Sequence, residues 1–275
     1  MHFHFDFSAN QVLWTLTFAG LLVLLVVLLG RNRAQRFPWF TAAMVMMALC
    51  MVASRLLFGR MSPLVSSQIF LVLSDIATII ALLVVVEIAR RAFKGAKRNA
   101  WIAATLITLA LASVVLVEWG PWPSPKTMFA ASTLAAMRFM QLFSQKGDLL
   151  ADLLIVELGV LVVLFGRRFS AGWRSHPQQI AIGLSTVSIS QLTVRVVWQH
   201  IAMHTTIHSQ VEYDRVMSLQ GKIYHANNAI YLAALVWWII WLWFDEPGAK
   251  TSADSEQQIA STSEQPTDGN TIVEN

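Results

Sequence analysis

Arg55, Asp75, Asp152, Glu157 and Arg195 each stand inside a stretch of sequence that is otherwise apolar. Ions in oily surroundings are expensive, so such side chains turn toward a counter-charge or a watery interior and mark ligand sites, ion paths or proton relays. Ser188, Gln191, Arg195 and Gln199 recur at intervals of three and four residues, the spacing that keeps them on one helix stripe. Tyr224, Asn227, Asn228 and Tyr231 form a second stripe. Guanidinium, carboxylate and carboxamide groups together can hold a small polar ligand or an ion. The candidate binding residues are therefore Arg55, Asp75, Asp152, Glu157, Gln191, Arg195, Asn227 and Asn228. The plainer alternative is an internal ion-pair network that fixes helix register.

His200, His204 and His208 follow one another at four-residue steps, which places three imidazoles on one helix face. With Glu212 or Asp214 they form a possible nitrogen and carboxylate set for Zn²⁺ or Cu²⁺. Histidines of a solvated loop beside lipid headgroups give the same pattern without a metal. Cys50 is the single cysteine, so an intramolecular disulfide and a cysteine-rich metal site are both excluded. No residue pattern of a catalytic mechanism is present, and the expected protein is not an enzyme.

The elements that must carry these residues follow from composition. Hydrophobic residues make up 56% of the 275 and charged ones 13%, against roughly 25% charged in soluble chains. A helix needs about 20 mainly apolar residues to cross a bilayer, and seven segments qualify: 10–29, 39–58, 68–89, 100–119, 149–166, 178–203 and 224–244. The start of the chain has no basic region and no cleavage site follows Leu29, so the first segment is expected to stay as a helix. Arg31, Arg33 and Arg36 follow the first span, Arg90, Arg91, Lys94, Lys97 and Arg98 the third, and Arg167, Arg168 and Arg174 the fifth. Basic loops stay in the cytoplasm, which predicts an outside N-terminus, a cytoplasmic C-terminus and a plasma (inner) membrane location.

On that frame, a rise of about 1.5 Å per residue puts Asp75 roughly 6 Å and Arg195 roughly 7 Å outward of the midplane, with Asp152 and Arg55 roughly 9–10 Å outward. Matching depths predict that Asp75 pairs with Arg195, with Glu157 as second partner. Glu87 is expected to make only a local pair with Arg90 or Arg91. The polar residues predict an outward-facing pocket lined by spans two, three, five, six and seven, and leave spans one and four, without central charges, facing lipid.

Thr127–Phe143 is largely apolar, yet Arg138, Gln141 and Gln145 recur on one side. An amphipathic helix lying in the interface between spans four and five fits this better than an eighth crossing. Trp101, Trp119, Trp122, Trp241 and Trp243 fall near span ends, where indole rings anchor at headgroup level. The prolines fall in loops, at helix ends or in the tail, and no matched Gly/Pro interruptions divide the chain into two halves, which disfavours a broken-helix transporter. Residues after Phe244 turn polar and Ser/Thr/Gln-rich, which predicts a disordered cytoplasmic tail. At roughly 30 residues such a tail is too short for an appended signalling domain.

The His200–x–x–x–His204 pair resembles the ceramidase/adiponectin-receptor superfamily of intramembrane zinc hydrolases. That resemblance implies a further histidine and a Ser or Asp at membrane depth, whereas the other outer histidines here are terminal or at the entrance of span seven. A retinal protein would need a lysine midway along span seven, and Tyr224–Phe244 has none. The sequence thus predicts an all-α polytopic membrane protein, a seven-transmembrane-helix bundle over 1–246 with a tail over 247–275. Its expected partners are the lipid bilayer and a separate signalling or membrane protein, with no nucleic acid. A ligand- or ion-binding sensory module leads, followed by a permease or ion pathway, then a metal-dependent hydrolase.

Overall fold

The structure, a computed structural model, describes residues 9–57, 60–94, 98–119, 122, 133–165, 175–205 and 209–245. His208, residues 127–132 and the tail over 247–275 lie outside the described residues. The regular structure among the described residues is helical: α1 (Ala9–Gly30), α2 (Arg33–Arg36), α3 (Pro38–Leu57), α4 (Pro63–Ala92), α5 (Arg98–Glu118), α6 (Thr133–Phe165), α7 (His176–His204) and α8 (Gln210–Trp243).

The helix starts are chemically marked. Pro38 and Pro63 open α3 and α4, and Pro177 sits in the first turn of α7, positions where a missing N–H costs no helical bond. The Ser62 hydroxyl accepts from the Val65 N–H at 3.4 Å and caps α4. Between α1 and α2 the chain turns through Asn32, whose φ of 54° is left-handed, a conformation asparagine tolerates better than most residues.

Among the described residues, five stretches are long and apolar enough to cross a membrane: Gln11–Gly30, Pro38–Leu57, Leu64–Ala92, His176–His204 and Gln210–Trp243. The chain is therefore a multi-pass α-helical membrane protein. In α5 the described apolar stretch is the shorter Thr105–Glu118. In α6 the apolar C-terminal half carries Asp148, Asp152 and Glu157.

Three sequence expectations change. The segment ending at Phe143 is no separate element from Thr133 onward, because α6 runs unbroken for 33 residues into the predicted fifth span. Nothing between Arg138 and Asp148 interrupts helical hydrogen bonding, and Gly147 alone is too weak a breaker to do so. Arg138, Gln141 and Gln145 stay exposed, while Ser144 turns inward onto α4. Second, α8 begins at Gln210, far ahead of residue 224. Hydropathy reports only the part of a helix that lipid covers, and 34 residues make about 51 Å against a hydrocarbon core of roughly 30 Å.

Third, the first span does not merely face lipid. α1 packs along α8 and α3, and its Leu21, Leu24 and Leu28 are fully buried. Lack of charge says nothing about neighbours, since a helix interface in a bilayer is as apolar as the lipid outside it. α5 does lie at the periphery, packed on α6 with Leu106, Ile107, Val114 and Val117 exposed.

Consecutive long helices run in alternating directions, so one end of the bundle holds the start of α1 and the other its finish. At the finishing end Phe37, Phe40, Ile88, Ile180, Leu235, Trp238 and Leu242 join the α1 leucines in one apolar cluster. Trp238 meets Phe40 edge-on, with ring centroids 5.2 Å apart. Its indole lies where a side chain at Gly183 would be, so that glycine permits the close approach of α7 and α8. Gly159 does the same for Ser185, whose hydroxyl donates to the Ile155 carbonyl at 2.9 Å and ties α7 to α6.

Glu87 completes this end. It pairs with Arg91 at 3.8 Å as expected. Beyond that local pair, its carboxylate accepts from the Phe40 N–H at 2.9 Å, satisfying one of the open donors in the first turn of α3.

Candidate functional site

Asp148 and Asp152 are one helical turn apart on α6, and both face Arg195 on α7. Arg195 Nη2 lies 3.6 Å from Asp152 Oδ2 and 4.0 Å from Asp148 Oδ2, and Nη1 donates to the Gln145 carbonyl at 3.3 Å. Asp152 is nearly sealed, with a side chain 8% exposed, whereas that of Arg195 is 31% exposed. The pair is thus half-open: Arg195 is exposed on one side while its carboxylate is enclosed.

Neighbouring groups finish the carboxylates' coordination. With the Gln191 amide turned so that its nitrogen faces α6, it donates to Asp152 Oδ1 at 3.1 Å and Oδ2 at 3.3 Å. That orientation is the only one in which both ends of the amide are satisfied. Ser188 places its hydroxyl on the same carboxylate. The Thr78 hydroxyl of α4 donates to Asp148, and Ser74 and Ser144 share a hydrogen bond at 2.6 Å one turn away. Three helices are thereby joined through polar contacts.

Two cavities adjoin this seam. The smaller, about 280 Å³, is lined by Asp148, Asp152, Ser188 and Gln191 with Met44, Ala81, Val84 and Trp238 deeper in. Its walls come from α3, α4, α6, α7 and α8, which are the second, third, fifth, sixth and seventh predicted spans. The larger, about 830 Å³, lies toward the end where α1 begins, between α1, α3, α7 and α8. Gln11, Trp14 and Thr17 line one side, Ser54 and Arg55 another, and Tyr224, Asn227, Asn228 and Tyr231 a third. Met47, Cys50, Gln191 and Tyr231 belong to both walls.

The candidate residues sort into three groups. Asp152, Gln191 and Arg195 meet in the seam. Arg55, Gln191, Asn227 and Asn228 line the larger cavity, with Asn227 accepting from the Ser190 hydroxyl at 2.8 Å. Asp75 and Glu157 belong to neither: Asp75 Oδ1 and Glu157 Oε2 are buried without a hydrogen-bond partner. The expected Asp75–Arg195 pair, with Glu157 as second partner, is therefore replaced by Asp152 and Asp148. Equal depth was the wrong criterion, because α6 is the direct neighbour of α7 and supplies its carboxylates from one face.

Asp148 was not foreseen at all. The signal for it was available, since Asp148 and Asp152 are four residues apart and share a helix face, as Asp152 and Glu157 do not. Placing the fifth span at residue 149 hid it. Thr78, Ser74 and Ser144 carry no comparable signal, because single hydroxyls in apolar helices are common.

The histidine set is only partly described. His204 ends α7, its ring stacks on His200 with centroids 4.3 Å apart, and its Nδ1 hydrogen-bonds the His200 carbonyl at 2.9 Å. Among the described residues no three His, Cys, Asp or Glu side chains converge into a metal-holding group.

A bundle of apolar helices with a polar seam and two adjoining cavities defines the class, a multi-pass membrane protein. Beyond the class, no family model matches the chain, and neither does any curated protein or any solved structure.

Proposed function

We propose that this protein is a non-enzymatic membrane module that binds a small ligand or ion in a polar pocket open to the outside, and that a bound ligand shifts the packing of α6 against α7. One observation carries the reading: Gln191 lines the larger cavity and also holds the carboxylate of the Asp152–Arg195 pair. A ligand that draws Gln191 toward itself loosens a contact between two helices, which is how a local binding event biases a two-state element. In this reading α5 and the apolar half of α6 also cross the bilayer. That gives seven spans with the N-terminus outside and the C-terminus cytoplasmic in the plasma membrane, in keeping with Arg31, Arg33, Arg90 and Arg91 at the α1-finishing end. A separate membrane or signalling protein would read the shift.

The test is to identify by mass spectrometry what accompanies the gently purified protein, then measure its effect on thermal unfolding. The expected result is a stabilisation that falls in Gln191→Leu and in Arg195→Ala. An Asp152→Leu/Arg195→Met variant that folds and responds as the parent does would remove the seam from the mechanism.

A permease is the second reading, favoured by the two cavities meeting at a common wall and leading from Tyr224 toward Trp238. Cys50 lies in that wall and is the single cysteine, so it reports access without engineering. Labelling by an impermeant maleimide from the outside alone fits a binding pocket, and labelling from both sides fits a pathway. A zinc- or copper-dependent hydrolase at His200, His204 and His208 ranks third, and metal analysis of the purified protein tests it.

A further inference from the structure

We propose that the larger cavity takes an anionic group, a carboxylate or a phosphate ester, held at its rim by Arg55. This rests on the pocket reading above and adds the chemical class of the ligand. Charge points to an anion. Among the described lining residues Arg55 is the one ionisable group apart from the thiol and the two phenols, and none of them is an aspartate or glutamate. Its described contact is with the Trp14 ring, 5.4 Å from the guanidinium carbon to the centroid, which leaves the N–H edge open. A guanidinium presents five donors in a flat fork suited to two oxygens of one anion.

Unpartnered polar groups in the lining point the same way. Tyr231 Oη is buried without a hydrogen-bond partner, on the wall opposite Arg55's helix. The Ser190 hydroxyl occupies Asn227 Oδ1, so the amide N–H₂ is the part of Asn227 left to donate. Asn228 and the phenol of Tyr224 stand on the same helix. A buried hydroxyl left unpaired is destabilising, and an oxyanion can accept from it and from the amide and guanidinium N–H groups, whereas a cation is repelled by Arg55.

Thr17 is buried at 8% exposure while Tyr224 is 59% exposed, so the cavity has a floor inside the bundle and a rim at its surface. Leu13, Trp14, Met47 and Met51 give one apolar side. About 830 Å³ admits a small organic molecule and greatly exceeds one ion. The matching chemistry is an anionic head with a short hydrocarbon part, which either a phospholipid headgroup or a free organic anion supplies.

The experiment uses the full chain in phosphatidylcholine nanodiscs, with affinities read from thermal unfolding and native mass spectrometry. Octyl phosphate and octanoate are the free anions, phosphatidylglycerol is the lipid source, and octanol and octyltrimethylammonium are the neutral and cationic controls. Anionic probes should bind at least tenfold more tightly than octanol, and Arg55→Gln should weaken them roughly tenfold or more. Asn228→Asp, which adds a negative charge without removing volume, should weaken them likewise, so the proposal survives a folding defect in Arg55→Gln. Binding of octyl phosphate in pure phosphatidylcholine identifies a free ligand. Binding of phosphatidylglycerol alone identifies a headgroup. Octanol or the ammonium binding as well as the anions, unaffected by Arg55→Gln, would overturn the anionic assignment and leave the pocket. No probe binding the parent protein would overturn the assignment and the pocket together.

Discussion

The two ends of this bundle are built on opposite plans. Where α1 finishes, aromatic and aliphatic side chains close against one another, and the one deep carboxylate, Glu87, is fully engaged by Phe40 and Arg91. Where α1 begins, polar side chains from α1, α3, α7 and α8 surround open volume, and Tyr231 keeps an unpaired hydroxyl. Between them lies the α6–α7 seam, paired but partly exposed. Lipid is as apolar as the closed end, so burial alone contributes little in a membrane, and close packing and completed polar contacts hold the helices together. Neither end completes every polar contact, since the buried Trp238 Nε1 also lacks a partner, but the larger cavity lies at the end where α1 begins, a pattern typical of regions that bind or move.

The sharpest way to break this contrast is to open the closed end. Trp238→Ala should lower unfolding free energy toward the bottom of the roughly 3–5 kcal/mol range known for such truncations. The lower value applies because lipid reduces the transfer contribution and leaves the packing loss. Denaturation in mixed micelles measures it, and a neutral result would mean that the closed end is not closed.

Next comes the seam. Asp152→Leu strands Arg195 beside Asp148 alone and should cost about 2–3 kcal/mol, below the 3–5 kcal/mol of fully buried pairs because Arg195 is partly exposed. Adding Arg195→Met should restore most of that loss. If the double variant is no better than the single one, the pair does not act as a unit.

Glu87→Leu should follow at about 1–3 kcal/mol, since it leaves the Phe40 N–H without an acceptor. Native-state hydrogen exchange at the first turn of α3 would locate the defect.

The smallest effect belongs to the open end. Tyr231→Phe removes a buried hydroxyl that has no partner and should raise the unfolding free energy of the ligand-free protein, by up to about 1 kcal/mol. A loss as large as that of Glu87→Leu would show that the cavity wall is as load-carrying as the closed end.

How far the sequence could be read differs by element. The spans containing Leu24, Met44, Ile80, Leu184 and Trp238 were plain from their apolar runs, as was the helical class. Ends outside the lipid were not, as the early start of α8 at Gln210 shows. Asp152, Gln191 and Arg195 stood out in the sequence as charged or polar groups within apolar stretches, and the structure brings them together. Their mutual contact was not readable, and Asp75 was given the place that Asp152 and Asp148 hold.

Sequence alone determined composition, periodicity and depth: which stretches are oily enough to enter a bilayer, and how far along each helix a charge sits. These are one-dimensional quantities, fixed by residue type and a constant rise per residue. Tertiary structure decided the other two dimensions. Rotation of α6 turned Asp148 and Asp152 toward Arg195, adjacency of α6 and α7 excluded Asp75 from that pair, and close packing of α1 made an uncharged span part of the core. Height in the membrane leaves both the azimuth of a side chain and the identity of its neighbour free, and only packing fixes them.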